Sequence, residues 1–436
     1  MKLLKNSLLM LLTVSFLNCS KDDSLDVVLS SDKQITSFNL LLAENPVTTN
    51  VIGKINDKAQ TIILVAPGNT SKEGLLPDIT LSQGAEVSPQ GPQDFSSPVE
   101  YTVVAEDGST RTYEVSVFAE KEILAEMYFS NPGNSLAWDI NDNAIGNWDG
   151  ITTNDVGYIT GIDLFGKDLT TIPAEIGLLF NLEILQLHVN NIEFLPAEIE
   201  TLSKLKLLNV RKNKLTSVPV GISKLNNLET LYLNENLFAE IPNAILQLTN
   251  LKKLYLGDNQ ITSVPDAIAQ LTKLEQLWMN SNELATLPGE IGSLSNLKIL
   301  IVSANNLTSL PAEIGQLLAL ENLQLQGNVL TAIPPEIGSL PNLELLQLAA
   351  NELTTLPPET GNILSLKSLT ANNNQLTSLP AQISQLSNLT SLTIYDNNLT
   401  SIPGEICDME ANYGTIIIKD DEVSCDLGFT SRNKTK

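Results

Sequence analysis

The stretch that decides the fold reads Leu182-x-x-Leu185-x-Leu187-x-x-Asn190-x-Ile192-x-x-Leu195-Pro196-x-x-Ile199-x-x-Leu202. The same pattern returns when 23 is added to every number, and it runs through eleven turns between residues 159 and 406 without an insertion. The proline recurs in every turn from Pro173 to Pro403. The asparagine recurs in every turn except the first, where Lys167 takes its place. Such constant spacing predicts a solenoid, in which each layer copies the one before it.

Each repeated residue type has a physical role in such a layer. Leu185 and Leu187 are two positions apart, so on a strand they point the same way and form the inner wall of a parallel sheet. The amide of Asn190 offers donors and an acceptor to backbone groups that a buried turn would leave unpaired. The apolar residues at every third position after Pro196 fit a short 3-10 turn that closes the core from the convex side.

This stretch resembles the leucine-rich repeat family in its 23-residue version, whose signature appears in full in Asn305-Asn306-Leu307-Thr308-Ser309-Leu310-Pro311-Ala312-Glu313-Ile314-Gly315-Gln316-Leu317. The resemblance implies a horseshoe solenoid with a parallel sheet on its concave face. It also implies a scaffold for binding, since the family serves many different partners. Ala371, Thr360 and Ile363 depart from the pattern and indicate a looser spot in the ninth and tenth turns.

The chain begins with Lys2 and Lys5 and an apolar run over residues 8–17, which predicts a signal peptide over residues 1–18. Cys19 and an acidic tether (residues 19–29) follow, an arrangement that resembles a bacterial lipoprotein. The resemblance implies lipidation of Cys19 and an outer membrane lipoprotein displayed on the cell surface, with the lipid as its only contact with the membrane. Asn18 departs from the small residue usual before the cysteine, and the alternative is a secreted protein that is simply cleaved.

Residues 30–118 change to a periodicity of two. Asp107-Gly108 lies between two alternating segments, residues 99–103 and 113–117, and predicts a β-hairpin. Further short strands upstream indicate a small all-β sandwich. The segment 101–110 resembles the immunoglobulin-like modules of bacterial surface lipoproteins. This implies a spacer near the anchor, although a binding role of its own is the alternative.

A solenoid needs a cover over its first layer, and residues 119–158 are the predicted N-terminal cap. Ile123, Leu124 and Met127 fall on one side of a short predicted helix, and Trp138 and Trp148 follow it. The segment resembles the tryptophan-rich caps of plant leucine-rich repeat receptors but lacks their cysteines. Residues 139–150 match a calcium loop only superficially, because Ala144 and Gly150 replace its glycine and its glutamate.

Residues 407–436 form the predicted C-terminal cap and tail. If Cys19 carries lipid, Cys407 and Cys425 remain as a pair flanking the end of the repeats, and an oxidising exterior favours a disulfide between them. The alternative is two separate buried thiols.

The composition and the motifs narrow the classes of function. A formal net charge of −25, with 12 basic and 23 acidic residues within the repeats, argues against a nucleic acid partner. His188 is the sole histidine, has no nucleophile in a recognisable context, and is interpreted as a solvated residue in an exposed column of the sheet. No Cys/His spacing typical of a metal site and no phosphate-binding loop occurs in the sequence. The predictions are therefore no catalytic residue, no metal and no cofactor.

The strand positions that point away from the core form one wide surface. Its central column takes one residue from each turn: Asp163, Gln186, Asn209, Tyr232, Tyr255, Trp278, Ile301, Gln324, Gln347, Thr370 and Thr393. Three aromatic residues and an isoleucine thus stand on consecutive turns, with amides and hydroxyls at either end. An apolar centre with a polar rim is typical of a binding hot spot.

The predicted ligand-binding residues are Tyr232, Tyr255, Trp278, Ile301, Asn209, Arg211, Asn234, Gln276 and Asn280. The structural alternative is that exposed aromatic rings only shield one another on the sheet. As a function, we expect recognition or adhesion through binding of another protein on the concave face. A surface glycan is the second hypothesis, in which Tyr232, Tyr255 and Trp278 would stack against sugar rings.

Overall fold

The computed structural model describes residues 29–426 of the chain. The predicted signal peptide, the lipidation site Cys19 and the residues after 426 lie outside this range. Within it, no helix combines the length and the apolar character needed to cross a membrane.

Each of the eleven turns contributes a strand of three to five residues to one sheet of 13 strands, and the two caps contribute the other two. Strand β9 (Ile151–Thr153) pairs antiparallel with β10, and all later pairs are parallel. The following strands are β10 (Ile159–Asp163), β11 (Ile184–Gln186), β12 (Leu207–Asn209), β13 (Thr230–Tyr232), β14 (Lys253–Tyr255), β15 (Gln276–Trp278), β16 (Ile299–Ile301), β17 (Asn322–Gln324), β18 (Leu345–Gln347), β19 (Ser368–Thr370), β20 (Ser391–Thr393) and, beyond the last turn, β22 (Ile416–Ile418). The predicted leucine-rich repeat solenoid is confirmed.

Short 3-10 helices close the core on the convex side. Nine of the ten follow the repeated proline directly, as the sequence predicts, and only the fourth begins two residues later. They span Ala174–Leu178, Ala197–Thr201, Val220–Lys224, Ile245–Gln247, Asp266–Gln270, Gly289–Ser293, Ala312–Gln316, Pro335–Ser339, Pro358–Asn362 and Ala381–Gln385. The eleventh turn differs, because an α-helix, α2 (Gly404–Tyr413), takes this place.

The repeated asparagines form a ladder that joins neighbouring turns. Asn236 is typical: its Nδ2 donates to the backbone oxygens of Val210 and Leu233, each at 3.0 Å, and its Oδ1 accepts from the backbone N–H of Leu215 at 3.0 Å. The side chain is buried. Each asparagine therefore pairs backbone groups of two neighbouring turns, as the sequence predicts.

A row of ion pairs borders the sheet where its strands begin. Lysine in one turn bonds glutamate in the turn before it, and the pairs are Lys206–Glu183, Lys252–Glu229, Lys298–Glu275 and Lys367–Glu344, at 2.7 to 3.1 Å. This Glu–Lys row was missed at the sequence level. Exposed pairs of this kind contribute little stability each, but they neutralise most of the carboxylates along that edge of the concave face.

The N-terminal module consists of two small sheets around a shared core, so the predicted all-β module is confirmed. One sheet contains β1 (Ile35–Leu40), β2 (Val51–Ile52) and β5 (Pro77–Leu81). The other contains β3 (Lys54–Asn56), β4 (Thr61–Ala66), β6 (Glu86–Ser88), β7 (Val99–Val104) and β8 (Thr110–Ala119). Strands β7 and β8 form the predicted hairpin around Asp107-Gly108.

The module continues directly into the cap of the solenoid. Helix α1 (Glu120–Phe129) follows β8 without a linker, and a 3-10 turn (Ile145–Asn147) and β9 complete the cap. Ile123, Leu124 and Met127 are buried in the same hydrophobic cluster as the repeats, as predicted. Val65 of β4 belongs to that cluster too, so the module packs on the first turns and is more than a linked spacer.

The C-terminal cap ends the solenoid with α2, β22 and a small parallel pair formed by β21 (Ser401–Pro403) and β23 (Ser424–Asp426). Cys407 on α2 and Cys425 on β23 are placed at bonding distance, with their Cα atoms 6.2 Å apart. The separation suits a disulfide.

Candidate functional site

The central column of the concave face has the register that the sequence predicts. Tyr232 lies opposite Tyr255, and Tyr255 lies opposite Trp278, on adjacent parallel strands. We call these three residues the aromatic ladder. All three side chains are half-buried. Beneath them Leu231, Leu254 and Leu277 are fully buried, because alternate strand residues point to opposite faces.

The rings of the aromatic ladder pack directly on one another. Tyr232 and Tyr255 stack with ring centroids 4.3 Å apart and planes 8° apart. The Trp278 ring lies 5.2 Å from that of Tyr255 but is turned by 64°. The two tyrosines therefore cover one face of each other, and the tilted tryptophan ends the stack.

The hydroxyl of Tyr255 is held in place. It donates a 2.8 Å hydrogen bond to Oε1 of Gln276 on the next strand. Burial, with Tyr232 as the smaller contribution, raises the pKa of Tyr255 to about 12, so the phenol keeps its proton at neutral pH. Gln276, predicted as a ligand-binding residue, thus serves first to orient Tyr255.

An open depression of about 490 Å³ lies beside the aromatic ladder, where the strands end. We call it the Gly257 depression. It is lined by Arg211, Tyr232, Asn234, Glu235, Tyr255, Gly257, Asp258, Trp278 and Asn280. All nine residues belong to four consecutive turns, and no lining residue comes from another part of the described chain.

Six of the nine predicted site residues line this depression: Tyr232, Tyr255, Trp278, Arg211, Asn234 and Asn280. Two others were predicted as exposed, which is wrong. Asn209 is 9% exposed and Ile301 is 7% exposed. Ile301 lies between Trp278 and Gln324 on the adjacent strands, and both of these residues have longer side chains.

Sequence reasoning missed Glu235, Gly257 and Asp258. Glu235 accepts a 2.6 Å hydrogen bond from Nε of Arg211, which forms an ion pair at the rim. Gly257 occupies a column in which His188, Arg211, Asn234, Asn280 and Ser303 all carry side chains. That interruption was visible in the sequence and could have indicated the depression.

His188 was interpreted as a solvated residue, and this interpretation is wrong. Its ring stacks on Phe165 with centroids 4.7 Å apart, and the residue is half-buried. Desolvation lowers the pKa of His188, with Arg211 acting in the same direction and Asp163 against it. The histidine is therefore neutral at pH 7. In residues 29–426 no group of three or more His, Cys, Asp or Glu side chains is arranged to hold a metal ion.

Comparisons with protein families assign two regions of the chain. Residues 197–286 match the leucine-rich repeat region model, residues 295–353 and 319–376 match a leucine rich repeat model, and residues 388–409 match a third model of the same repeat. Residues 35–117 match the model described as SGBP, N-terminal. No curated protein matches the chain.

Solved structures similar to this chain include two plant receptors. One is the ectodomain of the receptor kinase GASSHO1/SCHENGEN3 from Arabidopsis thaliana in complex with CASPARIAN STRIP INTEGRITY FACTOR 2. It is 28% identical over 69% of this chain and 38% of that chain, with a TM-score of 0.61. The other is the Arabidopsis receptor kinase HAESA in complex with an extended IDA peptide hormone ligand, which is 25% identical over 70% of this chain and 57% of that chain, with a TM-score of 0.54.

A bacterial structure is also similar, a leucine-rich repeat protein from Leptospira interrogans. It is 33% identical over 60% of this chain and 78% of that chain, with a TM-score of 0.49. Against the two plant receptors, in contrast, this chain spans less than two thirds of their length.

Proposed function

We propose that this chain, which belongs to the leucine-rich repeat family, is a non-enzymatic recognition protein that binds another protein through its concave face. The observation that carries the proposal is the aromatic ladder. Tyr232, Tyr255 and Trp278 are packed ring to ring on adjacent strands, half-exposed, and next to an open depression. The core does not need them, because the leucines on the opposite face fill it.

The arrangement suits tight binding for an energetic reason. The rings are already held by one another and by the bond from Tyr255 to Gln276, so binding would immobilise few additional rotamers. Large, rigid aromatic side chains surrounded by amides and charged groups are the residues that dominate binding energy at protein interfaces. The amides of Asn234 and Asn280 provide such a rim here.

The comparisons support a protein or peptide partner. The GASSHO1/SCHENGEN3 and HAESA ectodomains were each solved with a bound protein or peptide ligand. These ligands belong to those receptors, and the corresponding partner of this chain is our inference. Leucine-rich repeat relatives are typically binding proteins without catalytic activity.

The site is tested by replacing the ladder. The triple substitution Tyr232→Ala, Tyr255→Ala and Trp278→Ala should abolish capture of a partner from extracts of neighbouring cells. The matched control is Gln324→Ala, Gln347→Ala and Thr370→Ala, which removes three side chains of the same column on consecutive turns. If both variants capture the same proteins as the unmodified chain, the ladder is not the site.

We further propose that the protein is anchored through lipid on Cys19 and displayed on the outer surface of an outer membrane. The proposal depends on the sequence pattern around that cysteine and on the two remaining cysteines, which are placed to form a disulfide. Mass spectrometry of the N-terminal peptide should find an acylated cysteine, and Cys19→Ser should release the protein from the membrane. A soluble, unacylated wild-type protein would refute the anchor.

A glycan is the second candidate ligand, because residues 35–117 match the SGBP, N-terminal model, which hints at glycan binding. The ladder is a poor sugar platform, since Tyr232 and Tyr255 cover one face of each other. A glycan array probed with the unmodified chain and with the ladder triple variant distinguishes a glycan site on the aromatic ladder from one elsewhere in the chain. Glycan binding that survives in the variant would place the glycan site elsewhere in the chain.

A further inference from the structure

We propose that the Gly257 depression receives a cationic side chain of the partner, with arginine preferred over lysine. This inference rests on the proposed function, since it assigns the chemistry of the group that enters the same site. It is carried by three features: a position without a side chain, a carboxylate without an ionic partner, and a tilted aromatic wall.

The space exists because Gly257 has no side chain. Its flanking turns place Asn234 and Asn280 at the same column position. A Cβ atom added to Gly257 would lie 2.5 Å from Oδ1 of Asn280, so the Asn280 amide leans over the glycine. The backbone here does not require glycine, because its φ lies outside the left-handed region. The missing side chain therefore leaves room that the Asn280 amide partly occupies, and it is not a demand of the fold.

The charge at the rim is negative. Asp258 is exposed and has no ion-pair partner in the part of the chain that the structure describes. Its only side-chain neighbour in hydrogen-bond range is Nδ2 of Asn280, at 3.4 Å. Glu235, in contrast, is paired with Arg211. The depression thus contains one cation and two carboxylates, which leaves one negative charge uncompensated.

This distinguishes Asp258 from four of the five glutamates in the Glu–Lys row. In the Glu–Lys row, Glu183, Glu229, Glu275 and Glu344 each already bond a lysine. A cation brought to any of these four glutamates would have to displace a lysine. Glu321, the fifth glutamate of the row, has no ion-pair partner in the described residues but lies two turns beyond Trp278 and does not line the depression. At Asp258 a cation would form a pair without breaking one, and this makes the Gly257 depression the favoured place for it.

The wall of the depression adds selectivity. Trp278 is turned by 64° from Tyr255, so it does not continue the tyrosine stack. A guanidinium group over an indole ring gains cation–π attraction and can bond a carboxylate with two parallel N–H groups. Oδ1 of Asn234 is a buried acceptor with no hydrogen-bond partner in the described residues. The chain's net charge of −25 would also speed the approach of a basic partner.

Trp278 provides the signal for a direct test. Trp138 and Trp148 are buried in the cap, 6% and 4% exposed, so Trp278 is the tryptophan whose fluorescence a ligand on the concave face can change. The probes are N-acetyl-arginine amide, N-acetyl-lysine amide and N-acetyl-citrulline amide, titrated into the intact protein. Citrulline keeps the planar shape of arginine without its charge.

We expect arginine to change the emission of Trp278 at concentrations about tenfold lower than citrulline, with lysine in between. The change should be absent in Trp278→Phe and should weaken as salt is added. Equal titration by arginine and citrulline, or no change with any probe, would refute the proposal.

Two variants locate the effect. Asp258→Asn should weaken arginine binding about fivefold, and the backbone tolerates it, because Asn373 occupies the same left-handed position in a later turn with φ 54°. The matched control is Asp396→Asn, an exposed aspartate at the same position with φ 52°. Gly257→Asn copies the flanking turns, fills the depression and should abolish the response. Equal losses in the Asp258 and Asp396 variants would mean general attraction to an acidic protein and would refute the assigned site.

The result of these titrations can be distinguished from the result of the partner-capture test of the proposed function. If the ladder triple variant loses its protein partner but arginine and citrulline titrate alike, the concave face is the binding site and the cationic group is wrong. If neither the partner nor the probes respond to the substitutions, both proposals fail.

Discussion

The side chain of Glu120 in the capping helix accepts a 2.9 Å hydrogen bond at Oε2 from the backbone N–H of Ile159, the first residue of strand β10. Glu120 is completely buried, and its Oε1 has no hydrogen-bond partner in the described residues. Burial raises the pKa of Glu120 to about 8, although backbone hydrogen bonds, that of Ile159 first, act in the opposite direction. A carboxyl group thus joins the N-terminal module, its helix and the first repeat, and it is mostly protonated at neutral pH.

The raised pKa predicts how stability depends on pH. Between the usual value of 4.5 and about 8 the folded state holds this proton more tightly than the unfolded state does. The contribution of Glu120 is therefore complete below about pH 4.5 and is lost progressively as the pH rises from there to about 8. Glu120→Gln should remove this loss and be more stable than the wild type above about pH 8, by on the order of a few kcal/mol at most.

The measurement is the free energy of unfolding of both proteins from about pH 5 to about pH 9. Glu126→Gln, an exposed glutamate on the same helix, is the control and should leave the pH profile unchanged. A difference between Glu120→Gln and wild type that stays constant across this range would contradict the buried-acid interpretation.

Thr360 marks the looser spot that the sequence indicates. It is fully buried at a position that is isoleucine in every other turn, and its hydroxyl has no hydrogen-bond partner among the described residues. Thr360→Ile should stabilise the fold by about 1 kcal/mol, because it removes an unpaired hydroxyl and adds apolar volume. Denaturant unfolding measures this, and the reverse change Ile337→Thr in the preceding turn should destabilise. A less stable Thr360→Ile protein would show that the site has no room for the larger side chain.

The leucines beneath the aromatic ladder should determine stability, and the concave side chains should not. Leu277 is 0% exposed, so Leu277→Ala should cost about 2–5 kcal/mol through lost burial and a residual cavity. Thr370 is half-buried on the concave face, and Thr370→Ala should cost little. Thermal and denaturant unfolding of the two variants compare these costs. Similar losses would mean that the concave face is part of the stabilising core.

The pairing of Cys407 with Cys425 predicts a measurable change on reduction. The two cysteines are 18 residues apart, and closing a loop of that size stabilises by about 3 kcal/mol in the chain-entropy model. Reduction should add the mass of two hydrogens and lower the unfolding free energy of the intact protein by about that amount. Cys407→Ser should start at the lower stability and show no further loss with reductant. Two alkylatable thiols at these positions in the native protein would contradict the bond.

The repeat region was predictable because its signal is periodic. Each repeat specifies a strand, an asparagine turn and a 3-10 segment. Because the next ten repeats have the same length, successive layers can stack in only one arrangement. The register of Tyr232, Tyr255 and Trp278 followed from the 23-residue spacing alone. The exposure of Ile301 and Asn209 was not predictable in this way, since it depends on the length of side chains in adjacent turns.

By itself, the sequence determined the solenoid, the all-β module before it, the capping segments and the column from which a binding site could be drawn. These features depend on the local alternation of apolar and polar residues and on a fixed repeat length, and both can be read directly from the sequence. Only the tertiary structure decided that Gly257 opens a depression, that Asp258 lacks an ionic partner while Glu235 has one, and that Glu120 is buried against the first repeat. Those properties arise where side chains from different turns and modules meet in space. Distance and burial there determine which side chains are charged and which a ligand can reach, and the spacing of residues in the sequence does not give either quantity.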